Sequence, residues 1–102
     1  MGKKAVIEEF TNLLAVALRH RIGSIVNNNE IYAQKYARDA EILINEAKKI
    51  VIGISFNIYE KKEIREKLEK KLKNELESKT FIDSKKFEII GGEIEKALRE
   101  II

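Results

Sequence analysis

The stretch VIEEFTNLLAVAL, residues 6–18, repeats its apolar side chains at intervals of three and four positions. Because an α-helix turns once in 3.6 residues, this spacing places them along one stripe of an amphipathic helix. We expect that helix to span residues 3–22. Arg19 and Arg21 suit the negative end of the helix dipole, and Gly23 suits the left-handed conformation that closes many helices.

A second helical pattern follows a polar connector. Three consecutive asparagines lie within residues 24–29, and asparagine favours turns and caps over helix interiors. Asn27 and Glu30 have the spacing of a capping box, in which each side chain accepts a hydrogen bond from the other residue's backbone N–H. Beyond them, apolar residues recur at helical spacing for about five turns. They are Ala33, Tyr36, Ala37, Ala40, Ile44, Ala47 and Val51.

Residues 50–59 allow two interpretations. Ile54, Phe56 and Ile58 alternate with polar residues, which is typical of a strand. Ile54 and Ile58 also continue the stripe of the second helix. Gly53 costs a helix interior about 1 kcal/mol relative to alanine, which favours a break or bend at that position. A strand and a continued helix both remain open here.

The segment 60–79 is nearly all charged and carries apolar residues four positions apart. Each step of four shifts a side chain by about 40° around a helix, so these residues form a narrow, slanting seam. The seam is Ile64, Leu68, Leu72 and Leu76. Glutamates also precede lysines by four positions, the favourable order for ion pairs along a helix. These pairs are Glu63 with Lys67, Glu66 with Lys70 and Glu69 with Lys73. We predict a mostly exposed helix.

The C-terminal part is predicted to contain a turn and a last helix, and residues 86–90 between them allow a short strand or a helix. Residues 80–84 favour a turn, and Phe87, Ile89 and Ile90 precede Gly91-Gly92 as a strand precedes a turn. Residues 93–102 have the spacing of an amphipathic helix. The sequence thus predicts one domain over residues 1–102. We expect a mainly α fold, a small helical bundle of four to five helices, with a short two-stranded β insert as an option.

The composition favours a helical protein of a hot, reducing environment. Charged residues make up 36% of the chain, and Pro, Cys and Trp are absent. This pattern is typical of thermophiles, including archaea, although an AT-rich genome gives the same Ile and Lys bias. The absence of cysteine excludes disulfides and thiolate metal sites. Glu8 and Glu9 interrupt any signal-peptide core, so we expect a cytoplasmic protein.

The longest apolar run, residues 50–54, is far shorter than the roughly 20 residues of a membrane span, so no membrane partner is expected. The sequence also lacks a catalytic pattern. His20 is the only histidine and lies between two arginines, which disfavour its protonation and offer no acceptor to orient it. Asp39 and Asp83 lie outside any metal-ligand spacing, and Gly91-Gly92 lacks the pattern of a phosphate loop. We therefore expect no enzyme activity, cofactor, metal or small-molecule substrate.

Basic side chains on the second helix form the candidate binding site. Lys35, Arg38 and Lys49 project within about 60° of one another, opposite the alanine-rich stripe. An isoleucine shares this face, and a basic face with an exposed apolar residue suits a phosphate backbone or another subunit. Arg19 and Arg21 would extend the patch, so these five residues are the predicted nucleic-acid-binding set. The alternative is that the cations are simply solvated.

Four segments of the first half share the pattern of a known family: VIEEFTNLLAVAL (6–18), SIV (24–26), IYAQKYA (31–37) and the helical residues 40–50. Together they resemble the small-subunit family of the archaeal type I-A CRISPR Cascade complex. The resemblance implies a non-enzymatic helical subunit of an antiviral defence complex. Such a subunit contacts neighbouring protein subunits and presents basic side chains to the backbone of RNA or single-stranded DNA. The alternative function is a homo-oligomeric or protein-binding helical module with no nucleic-acid role.

Overall fold

Four helices account for the structure, a computed structural model that describes residues 2–26, 30–78 and 87–102. They are α1 (Lys3–Val26), α2 (Glu30–Val51), α3 (Ile58–Ser78) and α4 (Phe87–Ile101). The helices form an elongated bundle of 41 × 25 × 21 Å. The three described ranges contain no strand. The prediction of a mainly α bundle is therefore confirmed, and the optional β insert is not found in these ranges.

Helix α1 lies at the centre of the bundle, because each of the other helices packs against it. Its apolar stripe is buried from Ile7 to Ile22, at Ile7, Phe10, Leu14, Leu18 and Ile22. Helices α2 and α3 both cover this stripe, and α4 contacts α1 and α3. Each fully buried side chain of this size contributes about 1.5–3 kcal/mol, so the core depends chiefly on the seams against α1.

The predicted end of the first helix at residue 22 is wrong, because α1 continues through Gly23 to Val26. Gly23 is buried, and a Cβ atom there would lie 3.5 Å from the ring of Tyr36 on α2. The glycine thus marks a close approach of two helices instead of a cap. The guanidinium of Arg21, two residues before Gly23, pairs with Glu93 on α4.

The predicted connector over residues 24–29 is shorter than expected, because Ser24 still belongs to α1. Its hydroxyl donates a hydrogen bond of 2.6 Å to the backbone carbonyl of Arg21, one turn earlier. The second helix starts at Glu30, which agrees with the predicted pattern. Asn27, the other half of the predicted capping box, lies outside the described residues.

The break predicted at Gly53 is confirmed. Helix α2 ends at Val51, and Gly53 has φ +79°, which an L-residue with a side chain rarely adopts. Residues 54–57 are irregular, so neither the strand nor the continued helix is found. The next helix begins with a capping box: the Asn57 side chain accepts from the Glu60 N–H at 2.8 Å, and Glu60 accepts from the Asn57 N–H at 2.9 Å.

The narrow seam predicted for the charged helix is confirmed in α3. Its four residues are buried against α1 and α4, whereas most of the other side chains of the helix remain exposed. Two of the predicted pairs along the helix form, Glu63 with Lys67 at 3.7 Å and Glu69 with Lys73 at 3.0 Å. Helix α3 therefore packs on the bundle through one row of apolar side chains, as its spacing predicted.

Residues 87–90, for which the sequence allows a strand or a helix, are helical, because α4 already begins at Phe87 and runs through both glycines. The reason is the burial of Ile90 and Ile94, four positions apart, on the same helix face. Gly91 and Gly92 lie on the exposed side, where a Cβ atom would meet nothing within 4 Å. The terminal helix predicted over residues 93–102 is thus part of a longer one. The turn predicted over residues 80–84 lies outside the described residues.

Candidate functional site

The candidate site is one exposed row of side chains on α2, which we call the outer stripe. Its members are separated by alternating steps of four and three residues, so they share one face of the helix. The outer stripe is Ile31, Lys35, Arg38, Ile42, Asn45 and Lys49, and all six side chains are exposed. The opposite side of α2 is the one that packs on the bundle, through Ala40, Ile44, Ala47 and Val51.

The outer stripe is apolar as well as basic. Ile31 is 78% exposed and Ile42 is 54% exposed, although the core contains other isoleucines that are fully buried. Tyr32, beside Ile31, is also exposed. Exposed aliphatic groups in one row with cations are compatible with a surface that contacts another molecule. The exposure of Ile31 and Tyr32 was not predicted, although the spacing that places Ile31 in line with Ile42 is present in the sequence.

Three of the five predicted site residues lie on the outer stripe. The side chains of Lys35 and Arg38 project from the middle of α2 into solvent. The ammonium of Lys49 lies 3.3 Å from the carboxylate of Glu46 on the same helix, and both side chains are more than half exposed. An exposed pair of this kind is worth at most about 1 kcal/mol, so it does not prevent Lys49 from binding an anion.

Arg19 and Arg21 do not extend the outer stripe, because both are engaged in ion pairs inside the bundle. Arg19 Nε lies 3.5 Å from Glu75 Oε2 on α3, and Arg21 Nη1 lies 3.3 Å from Glu93 Oε2 on α4. Both arginine side chains are largely covered. The central position of α1 explains this result, since its basic side chains meet acidic residues of the helices packed around it. A nucleic-acid role for Arg19 and Arg21 stays a prediction, and these ion pairs count against it.

A second network joins α1 to α3, and we call it the Glu8 cluster: Glu8, Thr11, Lys67 and Lys71. The Lys71 ammonium donates to the Glu8 carboxylate at 2.8 Å and to the Thr11 hydroxyl at 2.7 Å, and Lys67 donates to Glu8 at 3.1 Å. The hydrogen bonds from Lys71 and then Lys67 lower the pKa of Glu8. The bond to Glu8 raises the pKa of Lys67. The charged groups of the Glu8 cluster therefore pair with one another across the contact between α1 and α3.

The environment of His20 is structural. Its Nδ1 lies 2.8 Å from the backbone carbonyl of Val16, one turn earlier, and the centre of its ring lies 5.8 Å from that of Tyr36 in an edge-to-face arrangement. The imidazole thus fills the contact between α1 and α2. Within the part of the chain that the structure describes, no group of three His, Asp or Glu side chains is placed to hold a metal ion.

A cleft of about 380 Å³ is lined by residues of α1, α2 and α4. Arg21 contributes to its wall together with Lys48, and Glu41 and Glu100 face them. Because the charges of both signs are balanced, the cleft does not select for an anion or a cation by its net charge. The remaining lining residues are Ser24, Ala37, Ala40, Ile44 and Asn45. They do not include a histidine or cysteine that could act as a nucleophile or base.

Comparison with known proteins leaves the function open. No protein-family model matches the chain, and neither the curated proteins nor the solved structures contain a match. None of the helices described in residues 2–26, 30–78 and 87–102 has the length and apolar character needed to cross a membrane. The resemblance to the CRISPR small-subunit family therefore rests on the quoted sequence segments alone.

Proposed function

We propose that this chain is a non-enzymatic helical subunit of a nucleoprotein complex, which contacts a nucleic-acid backbone through the outer stripe. The observation that carries the proposal is the exposure of Lys35, Arg38 and Lys49 on one face of a single helix. From Lys35 to Lys49 the helix rises about 21 Å, which is long enough to reach several successive phosphates. A small subunit of a CRISPR surveillance complex is the specific form of this proposal.

The apolar members of the outer stripe give such a subunit its second contact. Ile31 lies one turn before Lys35, and Ile42 lies one turn after Arg38, so apolar and basic groups alternate along the face. Cations bind phosphates without sequence preference, whereas aliphatic side chains gain by leaving water against another protein. A face that carries both suits a position between nucleic acid and a neighbouring protein subunit.

The test is a salt titration of binding to single-stranded RNA and DNA oligonucleotides. Replacing Lys35, Arg38 and Lys49 together with Gln removes up to three phosphate contacts. The slope of log K against log salt should then flatten by about 2, and affinity at low salt should fall about tenfold or more. The control replaces Lys70 and Lys73 on α3 and Lys96 on α4 with Gln, which changes the net charge equally. Equal losses in both variants, or no loss in the first, would contradict the proposal.

The second candidate is a homo-oligomeric or protein-binding module without a nucleic-acid role. It is favoured by the exposure of Ile31 and Ile42, which a purely phosphate-binding face does not require. This version predicts a mass in sedimentation equilibrium that rises with protein concentration. Replacing Ile31 and Ile42 with Ser should return the mass to that of a monomer, while oligonucleotides remain unbound by the unchanged protein.

A further inference from the structure

One end of the bundle combines exposed apolar side chains with a high density of lysines. Here α1 begins, α2 ends and α3 begins, as shown by the Lys3 ammonium, which donates to the Ser55 carbonyl at 2.9 Å and to the Glu60 carboxylate at 3.1 Å. The end of α4 is also close, since Ile101 lines clefts with Val51. We call residues 2–4 and 48–62 the basic end.

Three large apolar side chains of the basic end are turned into solvent. Ile52 is 80% exposed, Ile58 is 77% exposed and Tyr59 is 80% exposed. The same segment does bury other apolar groups, because Phe56 belongs to the core and Ile54 packs against it. The segment therefore divides its apolar side chains between the inside and the outside of the bundle.

The exposed groups are held by ordered structure. Ile58 and Tyr59 are the first two residues of α3, directly after the Asn57 cap, so the capping box fixes the turn that carries them. The Lys3 ammonium lies 5.8 Å from the centre of the Phe56 ring, in addition to its hydrogen bonds to the segment. A surface fixed in this way loses little conformational entropy on binding.

The charge of the chain is concentrated at this end. Its six lysines are accompanied by a single acidic residue, Glu60, which gives the basic end a net charge of +5, whereas the whole chain has +3. The lysines are Lys3, Lys4, Lys48, Lys49, Lys61 and Lys62. Arg99 and Glu100, at the end of α4, add one charge of each sign. The rest of the chain is therefore slightly acidic.

We propose that the basic end binds the surface of an anionic lipid bilayer. Lysines at a membrane surface interact with acidic headgroups, and each nearby cation contributes to the attraction. The two isoleucines enter the boundary of the acyl chains, and Tyr59 lies at headgroup level, where amphipathic aromatic rings are enriched. Aliphatic side chains have no comparable partner on a phosphate backbone. The absence of a membrane span, on which the expectation of no membrane partner rested, does not bear on such a surface contact.

The first test is co-sedimentation of the full chain with vesicles of phosphatidylcholine alone, or with about one third phosphatidylserine. Binding is expected only to the anionic vesicles, and it should weaken as salt screens the charges. Replacing Ile52, Ile58 and Tyr59 with Ser should reduce binding about tenfold or more. Replacing Ile31, Tyr32 and Ile42 of α2 with Ser, which also removes two isoleucines and one tyrosine, should leave it unchanged.

A charge-matched pair of variants tests the lysines. Four residues of the basic end are changed to Gln in one variant, and four lysines elsewhere are changed to Gln in the other. The first set is Lys4, Lys48, Lys61 and Lys62, and the second is Lys35, Lys70, Lys73 and Lys96. Only the first variant should lose vesicle binding. Equal losses would mean that net charge alone drives association, and the proposal would be overturned.

The orientation on the bilayer can be measured directly, because the sequence contains no tryptophan. A Tyr59→Trp variant should be quenched by brominated acyl chains in anionic vesicles, whereas Tyr32→Trp, on α2, should not. Failure of the unchanged protein to bind anionic vesicles, or equal quenching at both positions, would overturn the proposal. If the variants of the basic end instead lose oligonucleotide binding while vesicles remain unbound, the end is a nucleic-acid site and the lipid proposal is wrong.

Discussion

Helices α2 and α3 use their charges in different ways. Helix α3 is the more highly charged, but many of its ionic groups reach other helices: Glu60 meets α1, Arg65 pairs with Glu95 on α4, and Lys71 joins the Glu8 cluster. Helix α2 has fewer charges, and Lys35 and Arg38 point away from the bundle. The number of charges on a helix therefore does not identify an interaction surface. The direction in which the charges project does.

The largest expected difference between the two helices is in their apolar rows. Leu72 of α3 is fully buried, whereas Ile42 of α2 is about half exposed on the outer stripe. Leu72→Ala should lower the free energy of unfolding by about 2–5 kcal/mol, because it leaves a cavity next to α1. Ile42→Ala should change it by less than about 0.5 kcal/mol. Urea unfolding followed by circular dichroism measures both, and similar losses would mean that Ile42 supports the fold.

The second largest effect on stability is expected at Gly53, in the connection between α2 and α3. Gly53 has positive φ, so Gly53→Ala should destabilise the protein by about 1–2 kcal/mol. Gly92 lies inside α4, exposed and without neighbours, so Gly92→Ala should stabilise it by about 0.5–1 kcal/mol. Thermal unfolding of the two variants should shift in opposite directions. Shifts of the same sign would contradict either the positive φ of Gly53 or the exposed helical position of Gly92.

The charge contacts of α3 should also appear in the pH dependence of stability. The pKa of Glu8 is lowered in the folded state, first by Lys71, so its stabilising effect is present above the unfolded pKa and is lost as pH falls through the folded pKa. Glu8→Gln should therefore lose less stability on acidification than the unchanged protein. The pKa of Glu60 is also lowered, by the Asn57 N–H and by Lys3, so the Glu8→Gln variant will keep part of the dependence of the unfolding free energy on pH.

Urea unfolding at several acidic pH values checks this prediction. Glu66→Gln, on the exposed side of α3, serves as the control and should retain the pH dependence of the unchanged chain. If Glu8→Gln and Glu66→Gln behave alike, the Glu8 cluster contributes nothing beyond an ordinary surface carboxylate.

The smallest expected effect concerns the outer stripe itself. Glu46 accepts a hydrogen bond from Lys49, and Glu46→Gln would leave that lysine free to meet a phosphate. Oligonucleotide affinity at low salt should rise about twofold, in keeping with the small energy of an exposed ion pair. Glu77→Gln on α3 removes the same charge from another helix and should leave the affinity nearly unchanged. An equal rise in both variants would assign the effect to net charge.

The apolar rows were predictable from the sequence, because helix geometry alone determines which residues share a face. The seam of α3 is buried as its spacing predicted. The row of α2 is buried from Ala40 to Val51, whereas Ala37, earlier in the same row, is exposed. Glycines were harder to interpret. Gly53 ends a helix and Gly23 lies inside one, and what separates them is the ring of Tyr36 beside Gly23, a contact between helices that the local sequence does not contain.

The candidate site was predictable only in part, for the same reason. Lys35, Arg38 and Lys49 follow from the periodicity of a single helix. The partners of Arg19 and Arg21 lie 56 and 72 positions further along the chain, so only the tertiary fold brings them together. The pattern Asn-x-x-Glu occurs at residues 27, 57 and 74. The structure shows the pattern at residue 57 as a capping box, whereas the one at residue 74 lies inside α3. Spacing alone does not distinguish these positions.

The central position of α1 has a consequence for synthesis on the ribosome. This helix is translated before every segment that covers it, so its apolar side emerges while two of its three neighbours are still unmade. Packing against α2 is the first contact that can cover this apolar side. The part of α1 that α3 covers stays exposed until Leu76 has been translated. During that interval the exposed apolar side of α1 makes the nascent chain prone to aggregate.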